Sequence, residues 1–135
     1  MQTILLVLLG IWLLYQCLSS INYSELQDEP YYFIIETPDY VYDTYTSKRG
    51  YGNGYVRISA AHPLHGKNYY DGEDSPENLF DVHGGITYSG HIRHEDEFVF
   101  GFDTAHSCDN KTNCSAEYVH QECQHLLKQI KNYKK

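Results

Sequence analysis

The sequence predicts a small α+β domain, a mostly antiparallel sheet with a C-terminal amphipathic helix, preceded by an N-terminal apolar helix. Three observations carry this expectation. Several short β-branched and aromatic runs are punctuated by Gly and Pro turns. One C-terminal run has helical apolar periodicity. A chain of 135 residues holds one buried core and hardly two.

Taking the elements in order, Thr3 to Leu18 is apolar except for Gln16, and no charged residue occurs before Glu25. Residues 1–20 therefore read as a signal peptide, with cleavage after Ser19, or as an uncleaved membrane anchor, since Met1 to Ile21 would reach about 31 Å as helix. Both readings place the body outside the cytosol, secreted or anchored, with any membrane contact through residues 1–21. Residues 21–54 form a Tyr-rich stretch with a glycine turn and belong to one domain with 55–135. Within it, Tyr32 to Thr37 is a short or edge strand limited by Pro38, and Tyr40 to Thr44 is a second extended segment. Ser47 to Gly54 is a turn.

Tyr55 to Ala60 alternates as a half-buried strand does, and Asn68 to Asn78 is an acidic loop. Val82 to Tyr88 and Glu97 to Asp103 are expected as strands joined by the polar His91–Asp96 hairpin. Gly84, Gly85 and Gly101 inside them imply bulges or the close approach of another backbone. The terminal helix has Ser115 as its N-cap and Val119, Cys123, Leu126, Leu127 and Ile130 as its apolar stripe, with Lys residues closing it.

The formal charge of −8 lies entirely on the body. Such a body repels phosphate backbones, so nucleic-acid binding is not expected. Asn22, Asn110 and Asn113 head glycosylation triplets. Cys108 and Cys114 could close a short loop in an oxidising compartment, Cys123 reads as a buried thiol, and the lack of C-x-x-C argues against a structural zinc site.

Three polar clusters could carry chemistry: His62-Pro-Leu-His65-Gly-Lys67, Asp81-Val-His83-Gly-Gly-Ile-Thr87, and Gly101-Phe-Asp103-Thr-Ala-His106-Ser-Cys-Asp109. His and Asp at strand ends, beside glycines that admit a ligand, suit a hydrolytic or metal site. With V-R-I-S-A-A-H-P-L-H-G-K-N-Y and E-Y-V-H-Q-E-C-Q-H-L-L-K-Q-I, these segments resemble a family of small bacteriophage proteins with H-G-G-[LI]-T-[YF] and G-F-D-C-A-H motifs. The resemblance runs from Tyr55 to Ile130. It implies that His62, Gly66, His83, Gly84, Gly85, Thr87, Gly101, Phe102, Asp103, His106 and Asp109 are matching positions, but it supplies no activity. Thr104 stands where many relatives have Cys, and Val99-Phe100 where they have a Trp pair.

The catalytic candidates are His83, Asp103 and His106. The ligand-binding candidates are His62, Gly84, Gly85, Thr87 and Asp109, with Tyr51 and Tyr55 as a possible rim. Metal and cofactor are left open. As ordinary structure, H-G-G could be a bulged strand and Asp103 the cap of a turn, while His91, His94, His120 and His125 read as surface residues. Two functions follow. One is an exported or anchored viral accessory domain that binds a small molecule or protein partner. The other is a His/Asp hydrolase, metal-assisted or not, acting on a phosphoester or nucleotide-like substrate, with the Gly84-Gly85 amides binding the developing anion. The lack of a complete catalytic signature favours the first.

Overall fold

Four strands and three helices appear in a computed structural model that describes residues 2–19, 28–38 and 49–135. The elements are α1 (Gln2–Ser19), β1 (Tyr32–Glu36), β2 (Gly52–Arg57), α2 (Pro76–Leu79), β3 (Tyr88–His91), β4 (Phe98–Phe102) and α3 (Ala116–Asn132). The sheet order is β1-β2-β4-β3, and every neighbouring pair is antiparallel. The predicted α+β class is thus observed. The expected segment at Tyr40–Thr44 and the Asn22 triplet lie outside the described residues.

Alternation along β4 explains the two faces of the sheet. Phe98, Phe100 and Phe102 point to one side, where α3 lays down Val119, Cys123, Leu126 and Ile130, each 0% exposed. Burying a Leu or Ile side chain contributes roughly 1.5–3 kcal/mol, so this stripe is a main source of stability. Gly54 makes the close seating possible, because a Cβ there would collide with the Phe102 ring and Cys123 Sγ. The N-cap is as expected: the Ser115 side chain accepts a hydrogen bond from Tyr118 N at 3.3 Å.

The opposite face carries a row of rings. Phe33, Tyr55, Gly101 and Tyr88 stand in register across the four strands. Phe33 stacks on Tyr55 at 5.3 Å, and Tyr55 meets Tyr88 edge-on at 5.9 Å. Gly101 is what lets Tyr55 lie across β4, since a Cβ there would enter the Tyr55 ring. The close approach expected at Gly101 is therefore made by a side chain rather than by backbone. Tyr55 is part of this packing and not of a binding rim.

The sheet differs from expectation in two places. Val82 to Thr87 is not strand: Gly85 N donates to Val82 O at 2.8 Å, and Gly84 and Gly85 have φ of +66° and +81°. A turn of this kind needs positive φ, which glycine adopts freely. Gly52–Gly54, expected in a turn, opens β2 instead, because Thr104 Oγ1 donates to Gly52 O at 2.8 Å and β1 pairs along it.

A third correction concerns the membrane. No helix among the described residues is long and apolar enough to cross one. The 18 residues of α1 make about 27 Å of helix, short of a hydrocarbon core of about 30 Å.

The start of the body is clamped. The Asp28 carboxylate accepts hydrogen bonds from Ser59 Oγ, from Ala60 N at 2.9 Å and from Ala61 N at 3.3 Å, and pairs with Arg57 at 3.2 Å. These donors, the Ser59 hydroxyl foremost, hold its pKa down at about 2. Across the sheet, Arg93 grips Glu97 through two bonds of 2.9 and 2.8 Å, and Tyr31 donates to the same carboxylate. Glu97 is consequently also held at about 2, chiefly by the Arg93 bonds.

Candidate functional site

Three chain turns meet beside the first turn of α3. The H-G-G turn presents His83, whose backbone N donates to Glu122 Oε2 at 2.8 Å. The segment after β4 presents His106 and Asp109, locked together because His106 N donates to Asp109 Oδ2 and Asp109 N to His106 O, both at 2.9 Å. The approach to α3 presents Cys114. These segments are pinned to the sheet: Gly50 N bonds Thr104 O at 2.7 Å, and Tyr51 N bonds Cys114 O at 2.8 Å.

His83 Nε2 faces both oxygens of Asp109 at 3.0 Å, and its Nδ1 lies 3.0 Å from the Tyr118 hydroxyl. A neutral ring with its proton on Nε2 satisfies all three contacts: Nε2–H donates to Asp109, and Nδ1 accepts from Tyr118. Asp109 is 6% exposed. Burial pushes its carboxyl up, but the His83 and His106 N–H bonds outweigh this and hold it below 3.8. The His106 ring lies 5.5 Å from that of His83. Its Nε2 is buried against Gly84, 3.5 Å from Asp103 Oδ1, and has no hydrogen-bond partner. One donor atom each from His83, His106 and Asp109 lies within 4.8 Å of the others, a spacing that could hold a metal ion.

The predicted residues divide. His83, His106 and Asp109 converge. Asp103 stands at the rim and is largely spent on structure, accepting from Ala105 N at 3.0 Å and Thr87 Oγ1 at 2.9 Å. Thr87 serves through that bond and through its own N–H to Gly101 O. The Gly85 amide is consumed in its turn, so the anion hole expected at Gly84-Gly85 lacks one of its two donors. His62 sits elsewhere, with Nε2 donating to Ile130 O at 2.9 Å and Nδ1 accepting from Leu64 N at 3.1 Å. Tyr118, the partner of His83, and Ile130, the partner of His62, are 12 residues apart on α3, about 18 Å. Both nitrogens of His62 are occupied by backbone, so it closes the helix end.

Cys114, Tyr118 and Glu122 are the site residues that the sequence reading missed. Tyr118 and Glu122 recur at i, i+4 on α3, a spacing that puts both on one helix face, but only the fold brings that face to His83. The expected Cys108–Cys114 pair is not formed: both thiols are free, Cys108 exposed and Cys114 buried. Cys114 Sγ lies 3.7 Å from His83 Nε2. Burial, then the Asp109 charge, pushes its pKa up to about 11. A Cys–His–Asp nucleophile is excluded, because thiol and carboxylate face the same ring nitrogen and the thiol stays protonated. Thr104 is buried, with its hydroxyl donating to Gly52 O.

Comparison with protein-family models, curated proteins and solved structures found no match.

Proposed function

We propose that the chain is an exported accessory domain of phage type whose function is to bind one divalent transition-metal ion through His83, His106 and Asp109. The carrying observation is the convergence of three donors from two separate turns within 4.8 Å, one of the rings having a buried nitrogen without a partner. Two imidazoles and one carboxylate suit Zn²⁺, Cu²⁺ or Ni²⁺ better than Mg²⁺ or Ca²⁺, which prefer all-oxygen shells. Tyr118 supplies the outer contact that a ligating histidine needs. When Nε2 takes a metal, the proton moves to Nδ1, and the same hydroxyl turns from donor to acceptor. Export is supported by the uncharged apolar α1 ahead of an acidic body.

Purified full-length protein should retain close to one ion per chain after equilibration with Zn²⁺ and dialysis. His83→Ala and His106→Ala should each weaken Zn²⁺ binding at least tenfold by calorimetry. Equal binding by the wild type and the double variant overturns the proposal.

A second reading, metal-assisted hydrolysis of a phosphoester, is favoured by one observation. The Asp103 carboxylate stands beside His106 on the solvent side, 32% exposed, where it could take a proton from a metal-bound water. Zn²⁺-loaded protein that fails to turn over an activated phosphodiester, or an Asp103→Asn variant of unchanged rate, removes it.

A further inference from the structure

Resting on that reading of the site, we propose that Cys114 is a fourth ligand, so that the centre is closed by four protein donors and selects a borderline-soft ion such as Zn²⁺ or Co²⁺. Three observations converge on it. Cys114 Sγ lies 3.7 Å from His83 Nε2. In a tetrahedral zinc centre, bonds of about 2.3 Å to sulfur and about 2.0–2.1 Å to nitrogen put the two donors about 3.6 Å apart. The sulfur has the ligand-to-ligand spacing toward His83. It stands outside the group of His83, His106 and Asp109 donors that lie within 4.8 Å of one another, so closing the centre draws the donors together around the ion.

The second observation is charge. The cluster is enclosed on the Asp109 and Cys114 side, with those residues 6% and 1% exposed. A dication held by His83, His106 and Asp109 alone would leave one positive charge in this setting, whereas a thiolate beside Asp109 cancels it. The third is that Cys114 is held in place for this contact. Its N–H bonds Asn110 O at 2.9 Å, and its C=O accepts from Tyr51 N. A Cβ on Gly50 would collide with Cys114 Cβ, so the sulfur's carrier is packed against the start of the sheet. Ligation breaks the S–H bond and forms the S–metal bond, and the proton passes to bulk water. The His83 proton only changes nitrogen, so one proton leaves per ion bound. A centre filled by four protein ligands has no position for a reactive water, which favours the binding domain over the hydrolase.

Co²⁺ is the probe, because a cobalt–thiolate bond gives a near-ultraviolet charge-transfer band and a tetrahedral centre gives intense visible bands. The full-length protein loaded with Co²⁺ should show both. The charge-transfer band should survive Cys108→Ser and Cys123→Ser and vanish in Cys114→Ser, with affinity at least tenfold weaker. Co²⁺ binding that depends on His106 but lacks the charge-transfer band in the wild type overturns Cys114 ligation and leaves the three-donor site standing. Absence of any His106-dependent Co²⁺ binding overturns the metal site itself. The wild-type spectrum decides between these outcomes without relying on the folding of a variant.

Discussion

A methyl group added to Gly84 would overlap the His106 ring nitrogen, and the residue's φ of +66° would itself strain any other side chain. Gly84→Ala is therefore expected to cost about 1 kcal/mol for the backbone alone. It should also swing His106 out, lowering Zn²⁺ affinity at least tenfold by calorimetry, whereas Lys67→Ala, remote from the cluster, should leave it unchanged. At this scale the sequence was informative about residue type and uninformative about partners. His83 of H-G-G does meet His106 and Asp109, which follow the G-F-D run. His62 looks equivalent to His83 in sequence, yet its nitrogens close a helix end, because nothing local in H-P-L-H records that Ile130 lies above it.

For the terminal helix, the apolar spacing and the cap sufficed, since both are written within a few consecutive residues. Ser115→Ala is expected to remove about 1 kcal/mol, read as a lowered denaturation midpoint with unchanged slope. Because Tyr118 is the residue whose N–H the cap holds, metal affinity should fall with it. The sheet was less legible. Val82 to Thr87 has strand composition, but the paired glycines turn it, and turn chemistry outweighed β-propensity. The Phe33–Tyr55–Gly101–Tyr88 row is not visible in any one strand, because it needs the register of all four. Gly101→Ala should disrupt it and lower the melting temperature by several degrees, measured by near-ultraviolet circular dichroism, which reports the tyrosines.

For the molecule as a whole, Glu97 and Asp28 set the acid limit. Their carboxyls are held at about 2, against ordinary values of 4.5 and 3.8. The stability they contribute is fully present above those ordinary values and is lost as pH falls from about 4.5 toward about 2. The buried Glu97 alone should account for on the order of 2–3 kcal/mol, and Glu97→Gln should flatten the pH dependence of unfolding over that window. Metal should act in the opposite sense: Zn²⁺ at a hundredfold excess over its dissociation constant should add about 2.7 kcal/mol, abolished by a chelator and by His106→Ala. The fold class and the body's charge were readable from composition and patterning, because both average over many residues. The placement of the thiol at His83 was not, because it depends on backbone bonds between loops far apart in the chain. One more property of the whole follows from β1. β1 is an edge strand of the sheet and pairs along the outer side of β2. Were β1 detached, the outer side of β2 would offer a row of unpaired amides and carbonyls to another chain. The short strand Tyr32–Glu36 thus protects the domain from self-association, and a truncation that starts after it should elute as oligomers or precipitate.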